Sequence, residues 1–356
     1  MLDILRQGHN CAGEMNQIAF TYLRGMGPLP ARLEKCGGTL VLEQVFSAEG
    51  LPVAAAYGNN GDSLVPVRSM IGLFERAARI LDDDLFGLRL GMNMAPTDFG
   101  PWVKYVLCAQ TAGEMIRRSV RTLPYHISSG SFELAIEGPY ACWRTTVGGH
   151  GGADHRHHTD HLIGPMLSAL RAYLGKSWSP AWIEVDYSRP ASRHDIEDAF
   201  GAPVKFARPT IAIVFPKELL KAPSLRPLRA KDVMSLSDLR HVVQKRLPKS
   251  VTEAVQAALS LRLLDGDVDV DGAAQLLGVG VRTLQRQLAE ENVAYRDLLE
   301  KTRMRRATGL IKETLQPITE IAFSLGYTDL SSFSRVFHKH AGVSPIQLRR
   351  ARTVNI

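Results

Sequence analysis

Features typical of membrane and exported proteins are missing from this sequence. No apolar run approaches the roughly 18 residues that a membrane span needs. The first ten residues carry Asp3 and Arg6 and lack the apolar core of a signal peptide. We therefore expect a cytoplasmic protein without a membrane partner.

Cysteine is scarce, with four residues in a chain of 356. Cys11, Cys36, Cys108 and Cys142 form no CxxC pair, and chains without an export signal rarely use disulfides. Free thiols, mostly buried, are the expected state.

Enzymatic signatures are missing as well. The sequence has no GxSxG elbow, no HExxH, no GxxxxGK[ST] and no dinucleotide fingerprint after a strand. We expect a protein that is not an enzyme and uses no cofactor.

Five of the eleven histidines lie close together, at His150, His155, His157, His158 and His161. On a helix, His157 and His161 would share a face, which suits a transition metal. A solvated or effector-facing patch is the favoured interpretation. The alternative is that the N-terminal half is an enzyme or a metal-binding module.

Positive charge is concentrated at one end of the chain. The net charge is +7, yet the segment from Arg282 onwards holds 13 Lys and Arg against seven Asp and Glu. A basic end on a nearly neutral body indicates a polyanionic partner.

The first 220 residues predict one α+β domain. Helical spacing marks three segments, alternation marks a hairpin, and two short runs are typical of strands. These are Val65–Leu81, Thr111–Leu123 and His161–Tyr173 for the helices, Ser131–Val147 for the hairpin, and Trp182–Tyr187 and Thr210–Phe215 for the strands. Residues 221–249 predict a linker with one helix near Val233–Arg246.

Residues 250–356 predict an all-α domain. It opens on a capping box, in which Ser250 accepts from the third backbone N–H and Glu253 reaches back. A helix-turn-helix pattern then occurs twice, over Val270–Glu290 and Ile318–His340. Ala274, Leu277 and Gly278 match Ala322, Leu325 and Gly326 at an offset of 48. Leu284, Arg286 and Leu288 match Phe333, Arg335 and Phe337 at an offset of 49, so the second turn is one residue longer.

Each residue type in this repeat has a physical reason. The alanine lets two helices cross closely, and the glycine adopts the positive φ of a tight helix end. The apolar pair spaced by four faces the core, which turns Arg282, Thr283, Gln285 and Arg286 outward in the first copy. In the second copy Ser331, Ser332, Ser334 and Arg335 face out. Such side chains read base edges in the major groove.

A helix over Tyr295–Thr314 is predicted to join the two units. It carries Lys301, Arg303, Arg305 and Arg306, which suit phosphate contacts. Two units that read successive major grooves on one face of DNA would lie about 34 Å apart.

The C-terminal motifs resemble the AraC/XylS family of transcription regulators. They are GVRTLQRQL over Gly280–Leu288, ITEIAFSLGYTDLSSFSRVF over Ile318–Phe337 and GVSP over Gly342–Pro345. The resemblance implies base contacts from Arg282, Gln285 and Arg286 and from Ser331, Ser332 and Arg335, with an apolar contact from Leu330. It also implies promoter DNA and RNA polymerase as partners. Gly280 stands where the family usually has a serine cap, so the first recognition helix is expected to be less firmly anchored.

The N-terminal part resembles the sensor domain of the branch that includes ornithine-utilisation regulators. The motifs are FGLRLG over Phe86–Gly91, TAGE over Thr111–Glu114, GKSWSP over Gly175–Pro180 and FGAPVKF over Phe200–Phe206. The resemblance implies a small-molecule effector, a homodimer and a regulator that is an activator. Trp102, Tyr105, Tyr125 and Trp143 are candidates to line the ligand pocket. A constitutive repressor with a purely structural N-terminal domain is the remaining alternative.

Overall fold

The computed structural model describes residues 18–58, 60–148, 152–226, 233–243, 247–266 and 268–353. Cys11, His150 and part of the predicted linker, including Arg246, lie outside these residues. The chain forms two compact units. The sheet unit comprises Ala19–Glu49 and Asn59–Leu247, and the helical unit contains Gly50–Gly58 and the residues from Pro248 onwards.

The sheet unit mixes helices and strands. In chain order its elements are β1 (Phe20–Tyr22), α1 (Leu29–Ala48), β2 (Leu64–Pro66), α2 (Val67–Leu81), α3 (Phe86–Met92), α4 (Pro101–Leu107), α5 (Ala112–Thr122), β3 (Ser131–Glu137), β4 (Tyr140–Thr146), α6 (Arg156–Leu174), β5 (Trp182–Glu184), α7 (Arg193–Phe200), β6 (Val204–Lys205), β7 (Ile211–Pro216) and α8 (Leu236–Val242). The predicted α+β class is confirmed.

The main sheet has five strands in the order β3-β4-β7-β5-β6, and β1 pairs with β2 separately. The predicted hairpin is confirmed as β3 and β4, which pair antiparallel from Ser131 opposite Thr146 to Glu137 opposite Tyr140. Gly138 closes it with φ +60°. Residues of β7 are buried from Ile211 to Phe215, because both faces of this central strand are covered.

Helix α6 packs its backbone against that of α3. An added Cβ atom at Gly87 would lie 1.9 Å from the carbonyl oxygen of His157, and one at Gly91 would lie 2.4 Å from that of His161. Gly164 on α6 faces the backbone of Gly91 in the same way. The glycines of the FGLRLG motif are therefore what lets the two helices touch.

Several predicted elements have different limits in the structure. The helix predicted from Val65 begins at Val67, because Leu64–Pro66 forms β2. Helix α6 begins at Arg156 rather than His161, because the residues His158 to His161 are buried and continue the helix although they are polar. The strand predicted over Trp182–Tyr187 ends at Glu184. The linker helix is α8, and its Leu239 is buried in the sheet-unit core. The domain limits at 220 and 249 stay a prediction.

The helical unit contains α9 (Val251–Arg262), α10 (Val270–Leu277), α11 (Val281–Glu290), α12 (Tyr295–Glu313), α13 (Ile318–Ser324), α14 (Leu330–Ala341) and α15 (Pro345–Thr353). The predicted double helix-turn-helix with a joining helix is confirmed. Ser250 accepts from the Glu253 N–H at 3.1 Å, but Glu253 reaches back to the Lys249 N–H at 2.7 Å, one residue beyond the cap.

Gly50–Gly58 is an excursion from the N-terminal half into the helical unit. The carboxylate of Asp265 accepts hydrogen bonds from the backbone N–H groups of Val53 at 2.8 Å and Ala54 at 3.2 Å. Gly50, with φ +69°, lies against Leu276 of α10. The helical unit is thus not one continuous stretch of chain.

Candidate nucleic-acid interface and ligand cavity

The two helix-turn-helix units share a buried framework. Ala274, Leu277, Ala322 and Leu325 of the first helices are at most 2% exposed. The apolar pairs of the second helices, Leu284 with Leu288 and Phe333 with Phe337, are at most 1% exposed. Gly278 and Gly326 adopt φ +73° and +80° at the turns. The predicted inward face is confirmed in both copies.

Helix α11 presents Arg282, Gln285 and Arg286 to solvent, with Thr283 partly exposed beside them. The Arg286 side chain is 59% exposed, and its Nε lies 3.9 Å from Glu290 Oε1 one turn later. At that distance and exposure the pair holds the guanidinium weakly. The N-cap Gly280 has no side chain to accept a hydrogen bond, so the missing cap expected from the sequence is confirmed.

Helix α14 is capped firmly. Asp329 Oδ1 accepts from the Ser332 N–H at 2.7 Å, and this bond lowers the pKa of the carboxyl group. Ser331 and Arg335 are exposed and Ser332 is half-buried. Arg335 Nη2 lies 3.4 Å from Ser332 Oγ, so these two predicted base readers lie together. Leu330 at the start of the helix is 37% exposed.

The basic residues of helix α12 differ in how far they are exposed to solvent. Arg305 and Lys301 are exposed, whereas Arg303 is half-buried, with its guanidinium 5.5 Å from the centre of the Tyr327 ring. Arg303 thereby connects α12 with the second turn, next to Gly326. Arg306 is also partly buried, and burial lowers its pKa.

A cavity of about 110 Å³ lies inside the sheet unit, with an almost wholly apolar wall. Trp102 and Trp143, two predicted pocket residues, line it together with Phe99, Phe132 and Met166. Trp102 donates from Nε1 to Thr122 Oγ1 at 3.0 Å. The Nε1 of Trp143 has no hydrogen-bond partner among the described residues, although Trp143 is only 3% exposed.

The other two predicted pocket residues lie elsewhere. Tyr125 lines a second, more polar cavity of about 440 Å³, and its hydroxyl accepts from Arg240 Nε at 3.0 Å. Tyr105 is buried outside both cavities, and its hydroxyl accepts from Arg121 Nη2 at 2.8 Å.

Histidines in the wall were not selected from the sequence as pocket residues. His126 stacks on Trp102 with ring centres 4.8 Å apart, and His161 packs on Phe74 at 4.2 Å. Burial, with the charge of Arg24 nearby, lowers the pKa of His126 to about 3, and burial lowers that of His161 to about 4. Both rings are therefore neutral at pH 7. His126 follows α5 in an irregular segment, where periodicity gives no signal.

The histidine-rich start of α6 is tied to acidic residues by ordinary side-chain contacts. His155 Nε2 lies 3.1 Å from Asp186 Oδ2, and Glu75 Oε1 accepts from the His158 N–H at 3.1 Å. Over the described residues, no three His, Cys, Asp or Glu side chains form a group that could hold a metal ion. Cys36 is exposed and Cys108 and Cys142 are buried, and none of the three forms a disulfide with a described residue. None of the described helices is long and apolar enough to cross a membrane.

Comparison with known proteins agrees with this architecture. Residues 41–224, more than half of the chain, match the arabinose-binding domain of AraC transcription regulators, and residues 273–351 match a helix-turn-helix domain. The ornithine utilization regulator of Pseudomonas aeruginosa is 24% identical over 77% of this chain and 81% of its own.

An uncharacterized HTH-type transcriptional regulator of Mycobacterium tuberculosis is 25% identical over 91% of this chain and 99% of its own. The HTH-type transcriptional activator RhaS of Escherichia coli is 30% identical over 24% of this chain and 31% of its own. The matches thus cover both units and consist of transcription regulators. The chain belongs to the AraC family of transcription regulators.

Proposed function

We propose that this regulator recognises a promoter site through α11 and α14 and is an activator controlled by a small molecule bound in the sheet unit. The observation that carries the proposal is that α11 and α14 each expose a polar face, while their apolar residues are buried in the helix-turn-helix units. Arg282, Gln285 and Arg286 would read one half of the site. Leu330, Ser331, Ser332 and Arg335 would read the other.

Support for the activator role comes from the family and from the Escherichia coli relative, which is a transcriptional activator. Effector control is supported by the cavity and by the match to a ligand-binding domain. A homodimer and a contact with RNA polymerase are part of the same proposal. In vitro transcription with purified polymerase would test activation, and light scattering of the purified protein would test dimerisation.

The first test measures binding to DNA upstream of the protein's own coding region against random DNA across a salt series. Specific binding at least roughly a thousandfold tighter supports a sequence-specific regulator. Equal, weak binding to both DNAs, with every candidate effector tried, would contradict it. Salt must be varied because phosphate contacts make any single affinity uninterpretable.

Two arginine variants separate base reading from phosphate binding. Arg286→Ala should cost about 1–3 kcal/mol on the specific site and little on random DNA. Arg305→Ala, an exposed arginine on α12, is the matched control and should weaken both DNAs about equally while reducing the salt slope. Equal losses on both DNAs for Arg286→Ala would remove its role as a base reader.

Arg303 makes a less suitable phosphate-contact control than Arg305. Because its guanidinium lies over Tyr327, Arg303→Ala removes a packing contact together with a charge. A loss of DNA binding in that variant must be compared with its thermal stability. We retain Arg303 as a proposed contact to the DNA backbone.

The alternative functions predict different results. A constitutive repressor with a structural N-terminal domain predicts that no ligand raises the melting temperature of the protein. A fused metal-binding module predicts stoichiometric metal in purified protein, lost on replacing His157. Neither result is expected if the sheet unit binds an organic effector.

A further inference from the structure

We propose that the effector held in the sheet unit is an uncharged, largely apolar molecule about the size of a single ring, with one hydrogen-bond acceptor for Trp143. This proposal names the ligand class for the proposed function. It rests on that function only in calling the ligand an effector. It concerns the cavity between α4, α5, α6 and the β3-β4 hairpin.

The size of the cavity limits its ligand. Its volume of about 110 Å³ is somewhat below the roughly 150 Å³ of an apolar cavity known to hold benzene. A compound with one ring and a short substituent fills such a space after small side-chain movements. Met166 and Met70 in the wall are the flexible side chains that can adjust.

The wall offers no partner for a charge. Among the described residues that line the cavity there is no Asp, Glu, Lys or Arg. The imidazoles of His126 and His161 are neutral at pH 7, since burial depresses the pKa of each. A buried ammonium or carboxylate without a partner costs several kcal/mol, so amino acids and carboxylic acids are disfavoured.

A sugar is disfavoured for a related reason. Each buried hydroxyl of a ligand needs a partner, and three of the four Ser and Thr hydroxyls lining this cavity are already engaged with the protein. Thr21 donates to the carbonyl group of His126 at 3.3 Å, and Ser119 donates to that of Ile116 at 2.7 Å. Thr146 Oγ1 pairs with Ser131 Oγ at 2.9 Å. The matched family is named for arabinose, but this wall lacks the polar groups that several sugar hydroxyls would require.

The Trp143 indole is a donor in the wall that has no partner among the described residues. The two tryptophans differ, because Trp102 donates to Thr122 whereas the Nε1 of Trp143 finds no partner among the described residues. Buried indole N–H groups normally have an acceptor. A ligand carbonyl would supply it after a small movement of the wall, because neighbouring protein atoms cover the Nε1 atom. The ring nitrogens of His161 make no hydrogen bond of normal geometry, but the carbonyl groups of Gly25 and His158 lie near enough to favour its protonated form.

Charge is present in the second cavity. Arg24 lines that cavity, which shares Phe99, Trp102 and His126 with the first, and its guanidinium is paired with Asp62. A carboxylate ligand would have to share this guanidinium with Asp62, which already offsets its charge. The proposal therefore ranks a neutral compound above an anion of the same size.

A matched set of probes tests the class on the full-length protein by calorimetry and thermal shift. Acetophenone is neutral with one acceptor, ethylbenzene lacks the acceptor, benzoate is anionic, benzylamine is cationic, and L-arabinose is polyhydroxylated. We expect acetophenone to bind about tenfold more tightly than ethylbenzene and at least tenfold more tightly than either ion, with no shift from arabinose. Tighter binding of benzoate, benzylamine or arabinose than of acetophenone would overturn the proposal.

The variant Trp143→Phe keeps an aromatic ring and removes the donor. It should weaken acetophenone about tenfold and leave ethylbenzene within about threefold. Trp182→Phe, outside the cavity, is the control and should change neither affinity. Equal loss of both probes in Trp143→Phe would overturn the donor's role. If this variant does not fold, the ratio of the two affinities in the wild-type protein decides the same point.

The same preparation is assayed for specific DNA binding, which keeps the two proposals apart. One outcome is that the protein binds specific DNA but none of the neutral probes, while a sugar or an amino acid raises its melting temperature. That result would refute the proposed ligand class and leave the proposed regulatory function intact. Acetophenone binding without specific DNA binding would refute the proposed function and leave the cavity assignment.

Discussion

Replacing Gly87 by alanine tests the contact between α3 and α6 most directly. The new Cβ atom would lie 1.9 Å from the carbonyl oxygen of His157, and that atom belongs to a helix backbone. Normal contact requires a separation of about 3.3 Å, so α3 must retreat by more than about 1 Å. Overpacking costs about 1–3 kcal/mol, and alanine's helix propensity offsets about 1 kcal/mol at most. Because backbone cannot yield as a side chain does, we expect a net loss of about 2 kcal/mol.

Tryptophan fluorescence measures this effect in one unit. Trp102, Trp143, Trp178 and Trp182 are the four tryptophans of the chain, and all lie in the sheet unit. For a unit of this size, about 2 kcal/mol lowers the midpoint of thermal unfolding by about 4–8 °C. The control is Gly309→Ala on α12, where an added Cβ meets nothing within 4 Å.

The control should stabilise the helical unit by about 0.5–1 kcal/mol, visible by circular dichroism, and leave the tryptophan transition unchanged. A Gly87→Ala protein as stable as wild type would refute the close packing of α3 on α6. A shift of the tryptophan transition by Gly309→Ala would show that the probe does not isolate the sheet unit.

Two further predictions concern single residues. At the N-cap of α11, Gly280→Ser should stabilise the helical unit by a few tenths of a kcal/mol, because serine can accept from the Thr283 N–H. Gly280→Ala should destabilise it by about 1 kcal/mol, because alanine is a poorer N-cap residue than glycine. Equal stabilities of the two variants in urea unfolding would contradict this. Burial raises the pKa of Glu75 to about 7. Between about pH 4.5 and pH 7 the folded protein therefore keeps a proton that the unfolded chain releases. The free energy of unfolding consequently falls as the pH rises towards 7. Glu75→Gln should remove up to about 3 kcal/mol of this fall, and unchanged pH profiles of unfolding in the two proteins would show that Glu75 does not titrate in this way.

The helical unit was predictable because its signals are local. A glycine at positive φ, an apolar pair spaced by four and an Asp or Ser cap each act within a few residues. Even there, the partner of Glu253 was off by one residue, since only the actual backbone path decides which N–H it reaches.

The start of α6 shows why the sheet unit was harder. His158 and Asp160 are polar residues at buried positions, so the sequence shows no hydrophobic periodicity where the helix begins. Asp160 Oδ1 accepts from the Tyr187 hydroxyl at 2.5 Å, and burial raises the pKa of this carboxyl group to about 7. Both effects depend on residues far apart in sequence. The FGLRLG motif is recognisable in the sequence as a family signature, but its close contact with α6, about 70 residues away, is visible only in the fold.

Pocket residues were predictable by type but not by position. Aromatic character selected Trp102 and Trp143, which line the apolar cavity, and equally Tyr105, whose hydroxyl accepts from Arg121 outside it. Which aromatic faces a cavity depends on how helices and strands from distant parts of the chain meet. His161 belonged to the histidine cluster for which the sequence favoured a solvated or effector-facing patch, whereas His126 gave no sequence signal.

The excursion of Gly50–Gly58 bears on how genes for such regulators recombine. A crossover near codon 250 would exchange the continuous part of the helical unit and leave the excursion behind with the old sheet unit. Asp265 would then face a foreign segment in place of the N–H groups of Val53 and Ala54. Chimaeras that carry Gly50–Gly58 along with the new helical unit are expected to be more stable than those made by a single crossover. The two separate segments of sequence would therefore have to be inherited together.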